Sequence, residues 1–172
     1  PPRSTLFPYT TLFRSKPNDW NMKTIANRLF APGPGTTLNH GALLVLRLWL
    51  GLSMFFLHGL DKLLHFGSKA SKFPDLLGLG STCALALAVF AEVFCSAMLV
   101  LGLLSRFAAF SLCLTMLVAY ALVHKLALSG ASSGELAFIY LGGYLALLLA
   151  GPGRYSADAC LFAKTSKFTS PA

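Results

Sequence analysis

The sequence predicts an all-α protein whose four helices cross a membrane as one bundle. Three observations carry that reading. Four apolar runs, Gly41–Leu60, Thr82–Leu104, Phe107–His124 and Gly134–Gly151, make up most of the chain. Each is close to the roughly 20 residues that a helix needs to cross a hydrocarbon core about 30 Å thick. Charged residues are 12% of the 172 and hydrophobic residues 55%, whereas a soluble domain carries about 25% charge. The mean hydropathy of +0.66 agrees. Lipid offers no hydrogen bonds to the backbone, so such runs must be helices, and any chemistry must fit inside the bundle.

Residues 1–15 (PPRSTLFPYTTLFRS) resemble the in-frame translation of a sequencing-library adapter. Residues 1–21 are therefore set aside as an artefact or disordered leader, and Met22 is taken as the natural start. Residues 22–40 form a cytoplasmic N-terminal segment. Within it Ile25, Ala26, Leu29 and Phe30 share one face, which suits a short interfacial helix, and APGPGTT then breaks it. The whole chain has a formal charge of +8; from Met22 onward 11 Lys and Arg face 5 Asp and Glu. These charges are spread over loops and termini with no nucleic-acid-binding module, so nucleic acid is excluded as a partner. Attraction to anionic lipid headgroups explains them more simply.

The bundle domain is expected over residues 41–158. The first span ends near His58 and Gly59, and carries Arg47, so it is not a cleaved signal. The longest connection, Asp61–Ser81, has room for an interfacial helix. Spans two and three are joined only by Leu104-Ser105-Arg106 and form an antiparallel hairpin. SGASSG (129–134) turns the chain into span four, where Gly142-Gly143 suits close helix approach. Gly151-Pro152-Gly153 stops that span, and residues 159–172 form a cytoplasmic tail. Lys23, Arg28, Arg106, Arg154, Lys164 and Lys167 would share one side, against Lys62, Lys69, Lys72 and Lys125 on the other. That balance favours both termini in the cytoplasm, with the inverted topology left open.

Two charges lie deep within the spans, Arg47 in the first and Glu92 near the middle of the second. A central charge costs about 2.5–3.5 kcal/mol on insertion scales, so such residues turn inward and find partners. The simplest expectation is that Arg47 and Glu92 pair across the first two helices. The pair would then be either a register lock or a functional site. Arg47, Gly51, Met54, His58 and Asp61 fall on one helical face. This makes Arg47, His58 and Glu92 the candidate intramembrane site. Asp61, Lys62, His124 and Glu135, with Lys125, are expected to converge at the outer mouth of the bundle, although ordinary interfacial polarity would look the same. Haem ligation by His58 and His124 would need a wide apolar cleft that nothing else demands. Zinc lacks a compact Cys/His spacing. Cys83, Cys95, Cys113 and Cys160 form no C-x-x-C pair, which argues against a dithiol oxidoreductase. Cys95 and Cys113 are expected to pack as small apolar residues.

Taken in order, RLWLGLSMFFLHGLDKL (47–63), Phe73-Pro74, the membrane-centred Glu92, LGLLSRFAA (101–109), His124-Lys125, and GELA with GPGRYSAD (134–158) resemble the DoxX family of bacterial four-helix membrane proteins. The resemblance covers nearly all of residues 43–158. It implies an inner-membrane bundle with both termini inside. Members are associated with a terminal quinol oxidase, with a thiosulfate:quinone oxidoreductase, with thiol redox stress and with resistance to quinones and catechols. By resemblance Arg47, His58, Lys62, Glu92, Arg106 and Arg154 occupy the polar positions of the pattern, and Arg106 with Gly151, Pro152, Gly153 and Arg154 form its structural motif.

Three functions are then open. The first is a membrane subunit that binds a quinone or supports a partner oxidoreductase, itself catalytic only as part of such a complex. Leu and Phe would surround the ring, and a cation, a carboxylate and a histidine would serve its oxygens. The second is a non-enzymatic scaffold that recruits soluble oxidoreductases through the basic segment Arg154–Lys167. The third is a small-molecule transporter, which the lack of an internal repeat disfavours.

Overall fold

The structure is a computed structural model that describes residues 37–75 and 78–163. The adapter-like leader, the Met22 start, the interfacial helix at 22–30 and the end of the tail lie outside the described residues. Four long helices pack in chain order: α1 (Thr37–Leu64), α3 (Ser81–Leu101), α4 (Ser105–Val123) and α5 (Glu135–Ala150). Two short helices join them, α2 (Phe66–Ala70) after the first and α6 (Ala157–Ala163) after the last. Among the described residues no strand occurs. Each long helix contacts the next in chain order, and α5 returns to α1. This is a closed up-down-up-down four-helix bundle.

The first three long helices are long and apolar enough to cross a membrane; α5 is equally apolar but has 16 residues. Their outer surface is a coat of exposed Trp49, Leu57, Phe94, Phe110, Leu114 and Leu149, which a bilayer would cover. The bundle interior is filled by Leu50, Met54, Cys95, Leu99, Leu112, Met116, Tyr144 and Leu147. Cys95 and Cys113 pack in this core, and all four thiols are free. The long 61–81 connection does contain a helix, α2, and Phe66, Ala70 and Phe73 pack against Leu85, Val89 and Val93.

Close helix approach comes from glycines on α1 more than from the pair expected in span four. A Cβ on Gly59 would lie 2.6 Å from the Glu92 carbonyl oxygen. Gly51 similarly faces Val100 and the Ser96 carbonyl, at 2.6 and 3.2 Å. On α5 only Gly143 is used, against Leu50, while Gly142 faces open space.

The turn between α3 and α4 is built differently from its apparent sequence. Helix α3 stops at Gly102, whose φ of 71° is left-handed. The Gly102 N–H donates to Leu99 O at 3.1 Å and the Leu103 N–H to Met98 O at 2.9 Å, the paired bonds of a Schellman cap. Helix α4 then begins at Ser105, so Arg106 lies within its first turn. Asp158 closes the turn from far along the chain. Its Oδ1 accepts the Leu104 N–H at 2.7 Å and its Oδ2 accepts the Ser105 N–H at 2.8 Å. Its own N–H donates to Gly102 O at 2.9 Å. A carboxylate here satisfies free donors at a helix start and complements the helix dipole.

The stop in GPGRYSAD is therefore more than a terminator. Gly151 is left-handed at φ 82°, and Gly151, Pro152 and Gly153 are all buried. The Ser156 hydroxyl donates to Gly153 O and accepts the Ala159 N–H at 3.1 Å, capping α6. His40 Nδ1 accepts the Arg154 N–H at 3.3 Å. The segment folds back as a plug across the end of the bundle.

Two outcomes test this account. Asp158→Ala leaves buried backbone donors without acceptors and should lower stability by about 2–4 kcal/mol, with Asp158→Asn losing less because one amide oxygen can still accept. Detergent-micelle unfolding monitored by circular dichroism reads both. Gly59→Ala forces α1 away from α3 and should cost about 1–3 kcal/mol in the same titration, whereas Gly142→Ala should be neutral.

Candidate functional site

Glu92 sits halfway along α3, 4% exposed, and the Lys62 ammonium donates to its Oε2. Lys62 reaches this point because α1 is not a uniform α-helix. Residues Phe55–Gly59 form a π-helical turn. One extra residue in that turn shifts every later side chain back around the axis. Met54 is 1% exposed and faces the interior as the stripe predicted. Beyond the turn the inward place expected for Asp61 passes to Lys62.

The same widening recurs in two neighbours, at Phe90–Cys95 in α3 and Ala119–Val123 in α4. The three π turns surround a cavity of about 270 Å³. Met54, Met116, Ala119, Leu136 and Ala137 supply its apolar wall. Its polar groups are His58, Lys62, Glu92, His124, Ser133 and Tyr140. The His58 ring meets the Tyr140 ring edge-on, 5.9 Å between centroids at 89°. Tyr140 donates to Ser53 Oγ at 2.9 Å, and Ser53 donates to Trp49 O at 2.7 Å. His124 Nδ1 lies 3.0 Å from Ser132 O.

Arg47 does not belong to this cavity, which corrects the expected Arg47–Glu92 pair. Arg47 packs against Gly102, ten residues along α3 from Glu92. At 1.5 Å per residue that is roughly 15 Å, beyond the reach of one side chain. Leu50, Met54, Cys95 and Leu99 fill the space between. Arg47 is 1% exposed, and its Nη2 donates to Tyr155 O. Asp158, 0% exposed, is near enough to act on it electrostatically. Among the described residues its Nε and Nη1 have no hydrogen-bond partner. The two charges expected to meet each other instead meet Lys62 and the plug at opposite ends of the bundle.

The outer-mouth cluster divides in the same way. Lys62 and His124 line the cavity. Asp61 points away and pairs with Lys69 and with His65, at 3.1 Å. Glu135 and Lys125 are exposed and outside the cavity wall. Arg106 packs by Gly151, so a Cβ there would lie 2.9 Å from Nη2. Arg154 is exposed at the plug. Among the described residues no group of three His, Cys, Asp or Glu is arranged to hold a metal ion.

Sequence reasoning missed Ser53 and Met116 at or beside the cavity, and Asp158 at the plug. Lys62 is four residues after His58, a spacing that shares a helical face, so its place was within reach. Asp158 follows Gly-Pro-Gly in a polar segment outside every span, and nothing local signals its burial.

The family model described as DoxX matches residues 42–125. Neither a curated protein nor a solved structure matches the chain. The matched segment holds Arg47, His58, Lys62, Glu92 and His124, and ends before α5. Residues 42–125 form a DoxX domain, and its long apolar helices make the chain a multi-pass membrane protein.

Proposed function

We propose that this protein binds the single-ring headgroup of a quinone or quinol and serves as an accessory subunit of a membrane redox complex. One observation carries the reading: an apolar cavity inside the helix bundle has the Lys62–Glu92 ion pair and two histidines in its wall. A charged pair at this depth is costly unless it is used or locks the packing, and ionisable groups within a membrane are by default candidates for a functional site. The volume supports one ring. A cavity of about 150 Å³ accepts benzene, and drug-sized ligands occupy pockets of about 300–1,000 Å³. At about 270 Å³ the site suits a substituted six-membered ring and is small for a porphyrin.

In this reading Met54, Met116, Ala119, Leu136 and Ala137 hold the ring by apolar contact, and His58, Lys62, Glu92 and His124 serve its oxygens. Reduction of a quinone takes up two electrons and two protons. A partner oxidoreductase supplies the electrons, and Glu92 and His58 are the groups that exchange protons beside the ring. The membrane is then a bacterial plasma membrane, with both termini cytoplasmic and the cavity mouth on the outer side. A scaffold role would rest on Arg154, exposed at the plug, and on Lys164 and Lys167 outside the described residues.

The charge exchange Lys62→Glu with Glu92→Lys keeps a pair in place and so preserves the fold. Binding of a short-chain quinone to purified protein in lipid nanodiscs, read by calorimetry, should weaken about tenfold or more in the exchanged variant. That is the scale of losing one hydrogen bond to a charged group. Leu149→Ala on the lipid face should bind as the parent does. Equal binding by the exchanged protein would make the pair a packing lock and remove the basis of the reading.

A further inference from the structure

Close helix packing walls the cavity on three sides but not on the fourth. Between α1 and α3, Gly59 lies directly on the Glu92 backbone. Helix α4 packs along the π turn of α3. Between α4 and α5, a Cβ on Gly134 would lie 2.7 Å from the His124 Cβ, and the Tyr120 and Phe138 rings meet with centroids 5.4 Å apart. The seam between α1 and α5 is different. It is tight alongside Thr37–Met54. There a Cβ on Gly143 would lie 2.5 Å from Leu50 Cδ1, Tyr144 donates to Leu50 O at 3.2 Å, and Tyr140 donates to Ser53 Oγ at 2.9 Å. Alongside Phe55–Gly59 and Leu60–Leu64, backbone packing between the two helices is slight, because the start of α5 leans on α4 instead. The His58 and Tyr140 rings reach across the gap.

Two leucines show what this gap uncovers. Leu136 lies seven residues before Gly143, on the same face of α5. Gly143 is covered by Leu50 of α1, whereas Leu136 lines the cavity and is 53% exposed. On α1, Leu50 and Ser53 meet α5; Leu57, next in that stripe by spacing, is 70% exposed. Both leucines lie within apolar helices, where a bilayer would cover them. We infer that the cavity opens sideways into the bilayer through the α1–α5 seam, and that its ligand is a lipid-dissolved one: a ring with a hydrocarbon tail, which enters between Leu57 and Leu136 and leaves its tail lying there. The inference rests on the ring-binding reading above and deepens it by naming the ligand class. The apolar rim sets that class. An alkyl tail exchanges one apolar contact for another on entering the seam, whereas a polar substituent there would give up its water without new hydrogen bonds.

Two probes of one ring test this in lipid nanodiscs: a dimethoxy-methylbenzoquinone without a tail, followed by calorimetry, and the same ring on an alkyl tail that carries a photoactivatable diazirine close to the ring. After illumination, mass spectrometry should find the label on the Leu57 and Leu136 segments several-fold above the Leu114 segment on the lipid face of α4. An excess of the tailless ring should remove that difference. Leu57→Trp fills the opening from outside the cavity wall; it should lose the seam label and still bind the tailless ring as the parent does. Leu114→Trp should keep the seam label. Label spread evenly over lipid-facing segments, seam label indifferent to the tailless ring, or seam label undiminished in Leu57→Trp would overturn the inference, and calorimetric binding of the tailless ring would leave ring binding standing. Failure of the tailless ring to bind the parent protein would remove both.

Discussion

A carboxylate held in the middle of a lipid-spanning helix needs a cation, and Lys62 supplies it to Glu92 from a neighbouring helix. Much of the geometry at this end of the bundle serves that contact. Gly59 lets α1 lie directly against the Glu92 backbone, where a side chain would collide. The π turn at Phe55–Gly59 rotates Lys62 inward and Asp61 outward. The matching π turns in α3 and α4 open the space that Glu92 faces. Without the ion pair, the apolar interior would have no reason to tolerate an acid at this depth.

The opposite end solves the same problem by other means. Arg47 is almost fully buried, and its compensation comes from backbone carbonyl, from Asp158 and from the C-terminal end of α3, where the helix dipole is negative. Asp158 at the same time serves donors at the start of α4. One residue thus links α1, the α3–α4 turn and the segment after α5. That knot ties its end together, and the apolar layer of Leu50, Leu99, Leu112, Tyr144 and Leu147 lies between it and the cavity. Among the described residues the bundle is therefore polar toward both ends, with the cavity toward one of them.

Regular helices would have placed the polar residues differently. A uniform 3.6-residue repeat carries Arg47, Gly51, Met54, His58 and Asp61 along one face, and four of these do face the interior or the cavity. The fifth departs because a π turn inserts one residue. Such turns recur at functional sites, and here three of them lie around one cavity.

Much of the architecture follows from composition alone. Runs of about 20 apolar residues with almost no charge must be helices in lipid, and short connections make neighbours antiparallel, so the four-helix bundle was legible without coordinates. So was the burial of Glu92, because a central charge has nowhere else to go. Its partner was not. A sequence lists which charges are expensive, but pairing depends on depth along each axis and on rotation about it. One π turn and one Schellman turn were enough to send Arg47 to the Tyr155 carbonyl, near Asp158, and Lys62 to Glu92. Asp158 looked like the last residue of the motif that ends the bundle and proved to be the cap of a helix that starts more than fifty residues earlier. Local chemistry chose the helices; the tertiary fold chose the partners, because a long side chain reaches only one turn or so in any direction.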